Sequence, residues 1–146
     1  MDFNFQKFER TNSKYEDRIT ITKRKSFGFP TRFYNDNHIE EYKYAVLYFD
    51  KENKAIGINF TNSQEEKHKF TIIKSKKGFG GSIIATSFFK SYTIDSEKYY
   101  GRYKWEIKQY PNIEKLFVIV LKERSDFEFK ASPENNNDID GGVAER

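Results

Sequence analysis

Two stretches of the chain follow one plan. "ITITKRKSFGFPTRFYNDNHI" (19–39) runs from an alternating segment through three consecutive basic residues into a Phe-Gly-Phe-Pro turn and a short helical pattern. "FTIIKSKKGFGGSIIATSFFKSYTI" (70–94) takes nearly the same course. Aligning Pro30–Ile39 with Ala85–Ile94 at a constant offset of 55 residues puts Thr31 on Thr86, Phe33 on Phe88, Tyr34 on Phe89 and Ile39 on Ile94. Neither unit can bury its own apolar face, so a tandem pair is expected to close one shared core. This predicts repeat one over 19–60, a linker over 61–69 and repeat two over 70–124. Both lie in a single domain, because 146 residues suffice for one core and are short for two. A packed N-terminal arm (1–18) and a disordered acidic tail (125–146) complete the expected organisation.

Within repeat one, Ile19–Lys23 alternates and reads as a strand. Ser26–Phe29 reads as a second, ending at Pro30, whose fixed φ suits a first helical turn before a short helix over Thr31–His38. Tyr44–Phe49 and Ala55–Phe60 are β-branched or aromatic runs separated by "DKENK", which is a hairpin pattern. "TNSQEEKHK" (61–69) has no apolar residue and reads as a link through solvent. Repeat two then offers a strand over Phe70–Lys74, a basic glycine-rich turn, a strand through Ile83 and Ile84, and a helix in "ATSFFKSY". A hairpin follows in "YKWEIKQYPNIEKLFVIVL", with Pro111 and Asn112 in its turn and Leu116–Leu121 as a strand buried on both faces. An aromatic content of 18%, concentrated in alternating stretches, supports the same class. The expected fold is mainly β with two short helices, a barrel-like domain built from two β-β-α-β-β repeats.

Several function classes are excluded by what the chain lacks. Without cysteine there is no disulfide, thiol nucleophile or thiolate metal site, which fits a reducing cytoplasm. No apolar run reaches ~18 residues, and "MDFNFQKFERTN" lacks the plan of a signal peptide, so a cytoplasmic protein without a membrane partner is expected. His38 and His68, the only histidines, sit in polar surroundings without ligand spacing and read as solvated. Asp50, Glu52, Glu65 and Glu66 fall in loops with nothing to raise a carboxyl pKa, so no acid–base pair is expected. "KKGFGGS" lacks the Gly-Lys-Ser/Thr ending of a phosphate loop and reads as a turn that needs glycine. The expectation is a protein that is not an enzyme, with no cofactor, metal or small-molecule substrate.

Charge carries the positive signal. Residues 125–146 hold two basic and six acidic residues, a balance of −4, which leaves 24 Lys and Arg against 16 Asp and Glu in residues 1–124, a balance of +8. Such a surplus attracts polyanions; it also merely keeps proteins soluble, and both readings stand. The basic residues cluster in two turns at corresponding places of the repeats. Lys23, Arg24 and Lys25 of one and Lys74, Lys76 and Lys77 of the other are candidate phosphate contacts. Arg32 and Arg102 are candidate groove contacts, since a guanidinium can address guanine bidentately. Phe27 and Phe79, inside the turns, are either stacking platforms for unpaired bases or core residues.

The order strand, basic turn, strand ending in Pro, short helix and hairpin resembles the swapped-hairpin AbrB and MazE proteins, mostly bacterial transition-state regulators and antitoxins. In that family's motif a basic residue and a Gly stand six and five positions before the Pro. Arg24, Lys25, "SFGF" and Pro30 occupy those places here, with Lys25 where the family has Gly. The Gly-Asp expected after the helix is absent from "HIEEYKYA", and Gly101 and Arg102 approximate the motif in the second half. Where the family makes one barrel from two chains, this chain would hold both halves, a layout also similar to the DNA-binding pseudobarrel. The resemblance implies double-stranded DNA as ligand, a regulator or antitoxin-like role, and a toxin or a second copy as protein partner. The alternatives are a non-catalytic interaction module with an incidental basic surface and, further behind, a subunit of a nucleic-acid enzyme.

Overall fold

The computed structural model describes residues 3–5, 17–76 and 80–123; most of the expected arm and all of the expected tail (125–146) lie outside the described residues. The fold is mainly β. Alternation makes β1 (Ile19–Ile21) and β2 (Ser26–Phe29), whose apolar side chains all turn inward. Pro30 then starts α1 (Thr31–Asp36), which ends in a 3-10 turn (Ile39–Glu41). The first hairpin is β3 (Tyr44–Asp50) with β4 (Ala55–Thr61). After the linker come β5 (Phe70–Thr71), β6 (Ile73–Lys74), β7 (Gly81–Ile84) and α2 (Thr86–Ser91). The chain closes with α3 (Ser96–Tyr99), β8 (Gly101–Tyr103) and the hairpin of β9 (Glu106–Tyr110) with β10 (Ile113–Val120).

Two five-stranded antiparallel sheets result, ordered β6-β7-β2-β1-β8 and β5-β3-β4-β10-β9. Each takes one hairpin from either half of the chain. In the first sheet β2 meets β7, with Phe27 opposite Ile83; in the second β4 meets β10, with Ile58 opposite Phe117. The described strands do not join these sheets into a closed barrel. The outer strands β5, β6 and β8 are two or three residues long and offer little ladder for continuing the pairing round. The strand expected over Phe70–Lys74 is broken in two for a related reason. Its first part pairs with β3 and its second with β7, so the chain changes sheet at Ile72, which is buried and donates its amide to Lys43 O at 2.9 Å.

The two helices match closely at the 55-residue offset. Their C-cap residues, Asn37 and Tyr92, have φ/ψ of −105°/9° and −103°/7°. Each is followed by a left-handed residue, His38 at φ 56° and Thr93 at φ 53°, and then by a buried isoleucine, Ile39 or Ile94. Each helix drives an aromatic wedge into one cluster of rings. Phe33 meets Phe117 and Trp105 edge-on at 5.4 and 5.3 Å, while Phe60 meets Phe29 at 5.1 Å. Phe88 and Phe89 join Phe27 and Phe49 in the other cluster. Each fully buried ring contributes about 1.5–3 kcal/mol by leaving water. Strand β10 is less enclosed than its apolar sequence suggests, because Val120 is 53% exposed on the outer side. Helix α3 and strand β8 have no counterpart in the expected order. Asp95 caps α3 by accepting the Glu97 amide at 3.0 Å. No described helix is long and apolar enough to cross a membrane.

Candidate nucleic-acid interface

The first basic turn is built around Thr22. Its hydroxyl accepts from the amides of Arg24 and Ser26 at 3.2 and 3.3 Å and shares a 2.6 Å hydrogen bond with the Ser26 hydroxyl. Lys25 closes the turn at φ 64°, a left-handed conformation at the position where the swapped-hairpin motif has glycine. Lys23 and Arg24 are thereby held out in solvent. A brace comes from α3, since Ser96, 2% exposed, donates its hydroxyl to Lys23 O at 2.8 Å. The Lys23 ammonium lies over the Tyr100 ring, 4.8 Å from its centroid. Sequence reasoning missed both Ser96 and Tyr100; the Asp-Ser-x-x start of α3 was the available signal.

The second turn connects β6 and β7. Ser75 donates its amide to Gly80 O at 3.0 Å, and Lys76 is exposed. Lys77 and Phe79 lie outside the described residues. Gly80, at φ +92°, is pressed against the junction of β2 and α1: a Cβ there would stand 2.4 Å from Phe29 O. Lys74 is turned elsewhere, its ammonium donating to Glu40 O at 2.7 Å. Arg32 is exposed on α1 and pairs with Asp36 at 3.4 Å. Phe27 is a core residue with no exposure, so of its two readings the structural one holds.

Between the turns lies the outer face of the first sheet. The strand registers set Ile73, Ser82, Gly28, Thr20 and Arg102 side by side in one row, and Ile84 beside Ser26 in the next. Along β1 and β2 this face carries hydroxyls and a glycine, Thr20, Ser26 and Gly28, so the backbone there is shallowly covered, while Ile84 and Ile73 stand exposed beside them on β7 and β6. Because β2 and β7 are antiparallel, the basic turns sit at opposite ends of it. Lys25, whose carbonyl accepts from Ala85 N, marks one end, and Gly80, beside Pro30, marks the other. The four residues of β2 separate these levels, five rises from Lys25 to Pro30 or about 17 Å at ~3.3 Å each. Among the described residues none of Lys23, Arg24, Lys25 and Lys76 is ion-paired.

Other polar groupings offer less. His38, Glu40 and Glu41 gather ligand atoms within 4.8 Å of one another, but all three are exposed, and the buried polar residue among those described, Ser96, is engaged with Lys23 O instead. A recess of about 360 Å³ beside β4 and β10 is lined by Asn37, Asn59, Asn112, Glu114 and Lys115 among others, without a nucleophile and base in contact. Asp50 has its carboxyl held below the usual range by the side chain and then the amide of Asn53, which is hairpin-turn capping.

Comparison with protein families, curated proteins and solved structures finds no match to this chain.

Proposed function

We propose that this protein binds double-stranded DNA, as a regulator or antitoxin-like protein similar in layout to the AbrB and MazE group, and that it works without catalysis. The observation that carries the reading is the placement of two basic turns at the two ends of one sheet face whose central strands β1 and β2 carry small side chains. About 17 Å is half the ~34 Å repeat of B-DNA, so the turns suit phosphates on either side of a single groove. The small side chains Thr20, Ser26 and Gly28 would let the backbone of β1 and β2 approach the duplex. Lys23, Arg24, Lys25, Lys76 and Lys77 then supply phosphate contacts, and Arg102, in the outer row opposite Thr20, is the candidate base contact.

The test is affinity for random duplex and single-stranded DNA at two salt concentrations. Duplex binding should weaken steeply with salt. The variants R24A/K25A and K76A/K77A should each weaken it and reduce the log–log slope by about 0.9 per lost contact. Exposed loop charges alter stability by no more than ~0.5 kcal/mol, so the melting temperature should be kept. An unmodified protein with no salt-sensitive affinity for nucleic acid would leave the interaction-module reading, which draws on the open outer strand β9.

A further inference from the structure

We propose that β9 is a homodimerisation edge, pairing antiparallel with β9 of a second copy about a twofold axis through Ile107. Outer strands invite pairing, and proteins commonly blunt them by shortness. Strands β5, β6 and β8 follow that rule with two or three residues. Strand β9 does not: it has five residues, all exposed, and among the described residues it pairs with β10 on one side alone. Its stretch Glu106–Lys108 runs in regular register with Leu116–Val118, the irregularity of this hairpin lying further towards Tyr110. Pro111 stands beyond the strand and leaves its edge amides intact.

The sequence of the strand selects the partner. Glu106 and Lys108 project on one face and already form an ion pair at 3.2 Å, while Ile107, 43% exposed, belongs to the inner row with Phe117 and Ile58. A twofold perpendicular to the sheet must pair residues of like facing, so a symmetric copy can centre on Glu106, Ile107 or Lys108. Centring on Glu106 or Lys108 sets that residue against its own like charge. Centring on Ile107 sets Glu106 opposite the second copy's Lys108, and Lys108 opposite its Glu106. The two ion pairs then merge into a square of alternating sign. Ile107 meets its own copy and extends the apolar row Ile58–Phe117–Ile107 across the interface. The product is one continuous ten-stranded sheet. A five-residue pairing falls below the ~1,600 Å² of standard interfaces, so association in the micromolar to millimolar range is expected.

Sedimentation equilibrium on the full chain, from about 10 μM to 1 mM, reads the association directly. The unmodified protein should show a monomer–dimer equilibrium. E106K and K108E, each of which sets like charges opposite twice, should weaken it about tenfold or more. The exchanged variant E106K/K108E should restore it, and an equimolar mixture of the two single variants should form a heterodimer. All four residues of the square are exposed, so thermal melts should be unchanged across the set. A chain that stays monomeric throughout, or single variants that dimerise as well as the unmodified protein, would overturn the proposal.

Discussion

The carbonyl of Lys25 accepts the amide of Ala85 at 2.9 Å, tying the last residue of the first basic turn to the residue before the second helix. At the 55-residue offset the partners are Gly80 and Pro30, and proline has no amide to give. Gly80 O takes the Ser75 amide from its own turn instead, at 3.0 Å. The turns therefore hold corresponding places but are fixed by different bonds, and they should respond differently to substitution.

Lys25 occupies a left-handed conformation that costs a side-chain-bearing residue about 1 kcal/mol, and glycine does not bear that cost. Lys25→Gly should raise unfolding stability by about 0.5–1 kcal/mol in denaturant titrations. The same variant should lose duplex affinity, having one phosphate contact fewer. Stability and binding moving in opposite directions distinguishes this from general damage to the turn.

Gly80→Ala should do the reverse of stabilise. The new methyl would meet Phe29 O at 2.4 Å in a conformation already unfavourable to alanine. A loss of more than about 2 kcal/mol is expected in the same titration, because backbone rather than a flexible side chain must yield.

Ser96→Ala removes the hydroxyl that holds Lys23 O from beneath the first turn. Leaving that carbonyl without its donor should cost about 1–2 kcal/mol. Amide exchange should quicken at Lys23 to Lys25 more than in the second turn, since no described contact links Ser96 to it.

At high pH the tyrosines matter. Burial, and then the charge of Glu40, holds the Tyr34 phenol above its ordinary pKa. The folded state thus keeps this proton more tightly than the unfolded one. The stabilisation is complete below pH ~10 and is lost as pH rises through the folded value. Tyr34→Phe should flatten the fall in melting temperature above pH ~10, while Tyr48, raised by burial and Glu66, leaves a residue of it.

The hairpin of Tyr44–Asp50 with Ala55–Thr61 and both principal helices lie within two residues of where their patterns place them, because local signals specify them. The break at Ile72 was hidden, since an unbroken apolar run reads the same whether it serves one sheet or two. Helix α3 was hidden by being four residues of polar sequence. At the candidate interface the basic residue types were legible but their engagements were not. Lys74 is held by Glu40, 34 positions away, and Lys23 by Ser96, 73 positions away, and no local pattern encodes such pairs.

The interleaving of hairpins also bears on how the chain is made. During synthesis the first half emerges with β2 and β4 complete but with the strands that flank them, β7 and β10, not yet translated. Strand β1 must wait still longer for its second neighbour, since Ile19 lies opposite Tyr103. Such distant pairings slow folding into the millisecond-to-second range. Until then β1, β2, β3 and β4 each lack one native neighbour, so a ribosome stalled in the linker should hold a protease-sensitive, chaperone-binding intermediate rather than a finished half.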